Sequence, residues 1–187
     1  MAQGSVVISF DVQLSDVDRG VYEALSFKVA RHPSETAMYL VTRVLAHALE
    51  WTEGIEFTPG LATADAPALC VRDGTGRIRT WIEIGTPDAA RLHRASKACD
   101  RVSVYCHKNA DSWLRGLAGQ TVHDHHDIGL HRFDGPFVDA VAEQIERRNT
   151  WSLSVTEGTL YLDIDAPSDA GGPQSLVGAV TRLPWPQ

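Results

Sequence analysis

The sequence predicts an α/β fold, a mixed sheet flanked by helices, and three observations carry that reading. In residues 77–84, Ile78, Thr80, Ile82 and Ile84 alternate with Arg79, Trp81 and Glu83, the period of a strand with two unlike faces. Earlier, Met38, Val41, Leu45 and Ala48 recur at helical spacing, so one helix buries one face. Later, a helical stretch links the strand ending at Gly85 to the apolar run 101–106. A strand reached through a helix is expected to lie parallel to its predecessor, as in a right-handed crossover. Hairpins and a crossover in one chain give a mixed sheet.

In order, residues 5–14 read as a strand and 21–30 as a second, after the turn-like Ser15-Asp16-Val17-Asp18. A helix begins near Ser34, a good N-cap, with Glu35 in a first turn where a carboxylate suits the helix dipole. It ends within residues 51–54. Short strands follow at 55–57 and 67–73. Asp73-Gly74-Thr75-Gly76 is a turn signal that folds 67–73 onto 77–84, which sets Glu83 roughly across from residues 66–68. Gly85 breaks the strand. Thr86-Pro87-Asp88 opens the next helix, with Thr86 as cap and Pro87 at the first position, and that helix ends near Asp100. Residues 101–106 read as a buried strand, 111–118 as a helix, 121–133 as extended and 135–148 as a helix. A hairpin of 151–155 and 159–164 turns at Glu157-Gly158. Residues 166–187 read as a flexible loop and a tail with no helix or strand pattern. The whole chain, 1–187, is expected to be one domain.

Composition narrows the class. The 187 residues are 43% hydrophobic and 22% charged, as in globular proteins and unlike disordered ones. No apolar run approaches the roughly 20 residues of a membrane span. The first ten residues lack the basic region of a signal peptide, so no membrane partner and a cytoplasmic location are expected. Cys70, Cys99 and Cys106 are odd in number and lack C-x-x-C spacing, which argues for free thiols over disulfides or a cysteine zinc site. The formal net charge of -7 disfavours a protein that coats nucleic acid. Locally the balance reverses: Arg91, Arg94, Lys97, Arg101 and Lys108 face only Asp100 across residues 91–108. Those five are the candidate nucleic-acid-binding residues, set against the plainer reading of a solvated helix surface.

The candidate catalytic centre lies on the hairpin. Cleaving a phosphodiester requires an activated water and neutralised phosphate oxygens. Mg2+ or Mn2+ held by carboxylates, helped by a lysine, supplies both. Glu83, Asp65 and Glu35 are the candidate metal ligands, and Glu83, Glu35 and Lys97 the candidate catalytic residues. The plainer readings are a Glu83 paired with Arg79 or another cation, a dipole-favoured surface Glu35 and a solvated Lys97. A second cluster, His123-Asp124-His125-His126-Asp127, would place His123, His125 and Asp127 on one strand face. Zinc takes such ligands, although an exposed polar strand fits as well. No nucleophile elbow, Walker loop, Rossmann fingerprint or kinase motif set occurs.

A longer series of motifs is more specific. Arg31-His32-Pro33-Ser34-Glu35-Thr36 is joined, in order, by Glu56-Phe57-Thr58-Pro59-Gly60-Leu61, Trp81-Ile82-Glu83-Ile84-Gly85, Pro87-Asp88 and Lys97-Ala98-Cys99. Ser15-Asp16-Val17-Asp18-Arg19 precedes them and the terminal strand pair follows Thr150. Spread over nearly the whole chain, this series resembles the YaeQ family, which looks like a variant of the PD-(D/E)XK nucleases. The resemblance implies a restriction-endonuclease-like αβββαβ core with added N-terminal strands and a C-terminal β-hairpin. It also implies an acid after the proline of the second core strand. Here Asp65-Ala66-Pro67-Ala68 puts Ala68 at that position, and alanine cannot bind a metal. Glu83 fits the third-strand acid and Glu35 the helix acid. Gly85 stands where the motif lysine would be, with Lys97 on the next helix as a stand-in. Two expectations follow: a Mg2+-dependent nucleic-acid phosphodiesterase with a degraded motif, or a non-catalytic module that binds nucleic acid or protein.

Overall fold

The computed structural model describes residues 5–59, 65–165 and 173–187. Among them, chain order is β1 (Val6–Asp16), β2 (Val21–Arg31), α1 (Ala37–Leu49), β3 (Ile55–Phe57), β4 (Leu69–Arg72) and β5 (Ile78–Ile84). There follow α2 (Ala89–Ala98), β6 (Arg101–Cys106), α3 (Ala110–Leu117), β7 (Gly129–Phe133), α4 (Gly135–Glu143), β8 (Arg148–Thr156), β9 (Thr159–Ile164) and β10 (Gln174–Leu183). The chain divides into two compact units, Met1–Val41 with Asp134–Val180, and Thr42–Phe133 with Thr181–Gln187. No described helix is long and apolar enough to cross a membrane.

The first unit is a sheet in the order β2-β1-β8-β9-β10. β1 pairs antiparallel with β2 and parallel with β8, and β8-β9-β10 form an antiparallel run. Ile8, Phe10, Val12 and Leu14, every second residue of β1, are buried. Phe10 stacks on its cross-strand partner Phe27 at 5.6 Å and meets Trp151 edge-on at 5.1 Å. Such aromatic pairs add to the burial that holds a sheet face on its core. The β8-β9 turn has positive φ at both Glu157 and Gly158, the backbone of a two-residue hairpin loop. The Asp18 carboxylate pins it, accepting from both backbone N–H groups at 2.7 and 2.9 Å. Gly178 leaves room for Phe137 of α4, since a Cβ there would run into the ring.

The second unit has the order β7-β6-β5-β4-β3, with β3-β4-β5 antiparallel and β5-β6-β7 parallel. The elements α1, β3, β4, β5, α2 and β6 follow in that order, and β6 lies parallel to β5. Leu92 and Ala95 of α2 and Trp113 and Leu117 of α3 pack with Val102, Val104 and Leu130 on one sheet face. On the other face, α1 reaches β6, where Thr42 Oγ1 bonds His107 Nδ1 at 2.9 Å. All three cysteines are free and buried.

Several boundaries differ from expectation. α1 begins at Ala37, with Thr36 as its cap: Thr36 Oγ1 accepts from Tyr39 N and its carbonyl from Leu40 N, both at 3.1 Å. Ser34 instead bonds His32 Nδ1 at 2.6 Å. α2 is capped by Asp88, which accepts from Arg91 N at 2.7 Å. Pro87 thus lies outside the helix, its carbonyl taken by Trp113 Nε1 at 2.7 Å. α4 stops at Glu143 because buried Asn149 ties the following turn, accepting from Glu146 N and donating to Glu146 O and Ser9 O. Residues 166–172 of the expected loop lie outside the described residues, and Gln174–Leu183, expected as tail, is strand β10. Its pattern carries little strand signal, because only Leu176, Val177, Ala179, Val180 and Leu183 are apolar there, and Gly178 interrupts them.

Candidate functional site

Glu83 sits on the α2 side of β5, together with Trp81, as strand alternation requires. It is 5% exposed. Its Oε1 accepts two hydrogen bonds, from Trp81 Nε1 at 2.5 Å and from Arg91 Nε at 2.7 Å. Arg91 NH2 donates onward to the Ala66 carbonyl at 2.7 Å, and its guanidinium carbon lies 5.8 Å from the Trp81 ring centre. One guanidinium thus joins the β5 carboxylate, the indole beside it and the segment entering β4. Ala68, whose N–H donates to the Ile82 carbonyl at 3.0 Å, is buried alongside and brings no polar atom from its side chain.

Local sequence explains the arrangement. Gly85, at φ +96, takes a backbone that L side chains rarely adopt and ends β5 beside Tyr105, whose carbonyl its N–H reaches at 2.8 Å. The chain turns at once into the Asp88 cap, so Arg91 falls in the first turn of α2, above Glu83. Burial pushes the Glu83 carboxyl above its ordinary range, while the hydrogen bonds from Arg91 and Trp81 pull it back.

The other expected site residues are distributed as follows. Lys97 is exposed on α2, on the side away from buried Leu92 and Ala95. Asp65 is exposed ahead of β4. Glu35 belongs to the first unit and is 3% exposed; its carboxylate accepts from His32 N at 3.2 Å and its carbonyl from Arg31 Nε at 2.9 Å. It precedes α1 and does not lie in its first turn. Among the described residues, no three His, Cys, Asp or Glu side chains are grouped to hold a metal ion. Of the basic residues, Arg94, Lys97, Arg101 and Lys108 are exposed. Arg91 turns inward to Glu83. Arg101 pairs with buried Glu50 at 2.8 Å. Arg79, the partner considered for Glu83, pairs with Asp100 at 2.6 Å.

The histidine-rich segment is not a strand. Asp124 is left-handed at φ 44 and His125–Asp127 form one 3-10 turn, so the alternating ligand face does not exist. His123 Nδ1 meets Asp124 Oδ2 at 3.1 Å, and His125 packs on Trp185 at 5.2 Å.

Two features escaped the sequence reading. Arg91 as partner of Glu83 was legible in part, because Trp81 and Glu83 share a strand face and a tight turn separates them from Arg91. The polar cluster on the α1 face of β6 had no sequence signal. There Glu50 accepts from Tyr105 Oη at 2.9 Å and from Arg101 NH2 at 3.1 Å, and His131 stacks on Tyr105 at 4.6 Å. Burial lowers His131 to about 4.

Comparison with known proteins completes the picture. The family model described as YaeQ protein matches residues 1–169. The uncharacterised protein YaeQ of Escherichia coli K12 is 27% identical over 167 residues, covering 88% of this chain and 92% of its own. The crystal structure of the YaeQ protein from Pseudomonas syringae aligns with a TM-score of 0.80 at 28% identity, covering 96% of both chains. That of the YaeQ protein from Xanthomonas axonopodis pv. citri aligns with a TM-score of 0.79 at 28% identity, covering 96% of this chain and 99% of its own.

Proposed function

The chain belongs to the YaeQ family, and from that premise we propose that it is a non-catalytic binding module on a nuclease-like scaffold, with nucleic acid as ligand of the outer face of α2. The hold of Arg91 on Glu83 is the observation that carries the first half of this reading. A Mg2+ ion needs several carboxylate or carbonyl oxygens in near-octahedral order. Glu83 Oε1 already accepts from an indole and a guanidinium at 2.5 and 2.7 Å. Ala68 offers no second carboxylate beside it, and a cation placed there would meet the Arg91 charge. The residues present do not fit Mg2+. A fixed guanidinium does there, by ion pairing, what a metal would do by coordination.

The second half rests on Arg94 and Lys97, exposed on α2, and on exposed Lys108. Such groups bind phosphates through counterion release, and an overall charge of -7 would confine that binding to the local face.

Calorimetric titration with Mg2+ and Mn2+ tests the first half. No saturable binding is expected in the wild type. Saturable binding that disappears in Glu83→Gln would overturn it and restore the metal-dependent phosphodiesterase. That rival draws on one observation, a buried acid held above its ordinary range, which is the kind of group active sites use. Oligonucleotide titration at two salt concentrations tests the second half. Binding should weaken with salt and be lost in Arg94→Glu/Lys97→Glu. Undiminished binding in that variant would refute the α2 face.

A further inference from the structure

β2 ends its sheet and is long for an edge strand, eleven residues. Tyr22, Glu23, Ala24, Ser26, Lys28 and Ala30 are exposed along it. Among the described residues, four of the six exposed large apolar side chains (Val6, Val7, Val17 and Tyr22) lie on β1, β2 or their connecting turn. An edge of this kind is a template for another strand, and natural proteins usually blunt it with a bulge, a proline or a short length. The β1-β2 register is unbroken from Val6↔Arg31 to Asp16↔Val21, and β2 contains no proline.

The order of residues in β2 is self-complementary. An antiparallel two-fold axis through Phe27 sets each residue against the one equally far on the other side. Phe27 then faces the partner's Phe27, Leu25 faces the partner's Val29, and Glu23 faces the partner's Arg31. These are the odd-numbered residues, on the face where Leu25 and Val29 are already buried, so the apolar layer continues across the junction. On the outer face Ala24 meets the partner's Ala30 and Ser26 meets the partner's Lys28. No like charges are opposed, and the acid and base at the ends of the overlap pair twice by symmetry.

Neighbouring registers fail. An axis through Lys28 opposes the two lysines and sets Leu25 against the partner's Arg31. An axis through Ser26 leaves Glu23 opposite the partner's Val29. Because the N–H and C=O of a given residue in an antiparallel strand point to the same edge, the axis through Phe27 yields a full ladder whichever residues face outward.

We propose that the protein forms a two-fold homodimer by antiparallel pairing of β2 with β2 of a second copy, centred on Phe27. The contact is isologous and closes on itself, so it makes dimers and not fibres. The paired residues belong to the first unit, and Glu83, Arg91 and α2 to the second, so its test is separate from that of the binding-module reading.

Sedimentation equilibrium of the full chain at micromolar concentration should show a dimer. Ser26→Lys sets a second lysine against the partner's Lys28 at two symmetric positions and should raise the dimer Kd roughly 2- to 30-fold. Both residues are exposed, so the variant should keep the wild-type circular dichroism. Adding Lys28→Glu makes the same pairs attractive and should restore the wild-type Kd. A monomeric wild type at the highest soluble concentration would overturn the proposal. So would a Kd unchanged by Ser26→Lys, or no recovery in Ser26→Lys/Lys28→Glu.

Discussion

Replacing Arg91 by alanine removes the cation that compensates a carboxylate whose side chain is 6% exposed. The charged hydrogen bonds to Glu83 and to the Ala66 carbonyl disappear, each at 2.7 Å and each worth about 1.5–3 kcal/mol. The Arg91 side chain is 23% exposed, so water screens part of the pair, and the net loss should be about 2–4 kcal/mol. The cost should also depend on pH. Glu83 already lies above its ordinary range through burial, and without Arg91 it rises further. A group with a raised folded-state pKa stabilises below its unfolded value and loses that contribution as pH rises through the folded one. The penalty of Arg91→Ala should therefore grow as pH increases from about 4 to 7. Urea unfolding of wild type, Arg91→Ala, Glu83→Gln and the double variant gives the coupling directly. Roughly 1–2 kcal/mol is expected. A coupling below about 0.5 kcal/mol, or a penalty independent of pH, would refute the view that this ion pair replaces a metal in holding β5 and α2 together.

Other perturbations test neighbouring parts of the structure. His47, 2% exposed and stacked on Phe57 at 4.6 Å, is lowered by burial from 6.5 to about 4. The unfolded chain takes up that proton first, so stability is whole above 6.5 and falls as pH drops toward 4, by at most about 3 kcal/mol; His47→Phe should flatten this part of a pH-stability profile. Gly178→Ala drives a methyl into Phe137 and should cost about 1–3 kcal/mol, read as a lower Tm that Phe137→Leu partly recovers. Thr36→Ala should cost about 1 kcal/mol in urea midpoint through the lost cap. Ser34→Ala should stay within about 0.5 kcal/mol.

Where the sequence pattern was periodic, the fold was legible. The alternation of residues 77–84 and the turn at Asp73-Gly74 gave the β4-β5 hairpin and put Trp81 and Glu83 on one face. The Glu157-Gly158 turn followed from the need for two positive φ values. What failed was decided by side-chain competition at boundaries. Thr36 displaced Ser34 as cap because the His32 ring already holds the Ser34 hydroxyl at 2.6 Å. Asp88 displaced Thr86 because Trp113, distant in sequence, takes the Pro87 carbonyl. The histidine segment looked extended but contains a left-handed aspartate, a conformation Asp adopts more readily than most residues. The strand face that Glu83 shares with Trp81 was legible from the alternation; its partner was legible only in part, because Arg91 reads equally as one more cation on a basic helix.

A buried ion pair is weak evidence of stability, since well-packed apolar residues in its place often hold a protein as firmly. The value of Glu83 and Arg91 must then lie in what they orient. Arg91 is in the first turn of α2, its backbone N–H bound to the Asp88 cap and its side chain bound to β5 and to the carbonyl of Ala66. Those contacts fix how far α2 is rotated about its own axis, and so direct Arg94 and Lys97 to solvent. Arg91→Met should therefore separate the two roles. It preserves much of the packing against Trp81 but releases the rotation. Paired with Glu83→Leu, which removes the stranded charge, it should retain most of the stability yet weaken salt-dependent oligonucleotide binding. Full binding in that double variant would mean that the ion pair orients nothing the ligand uses.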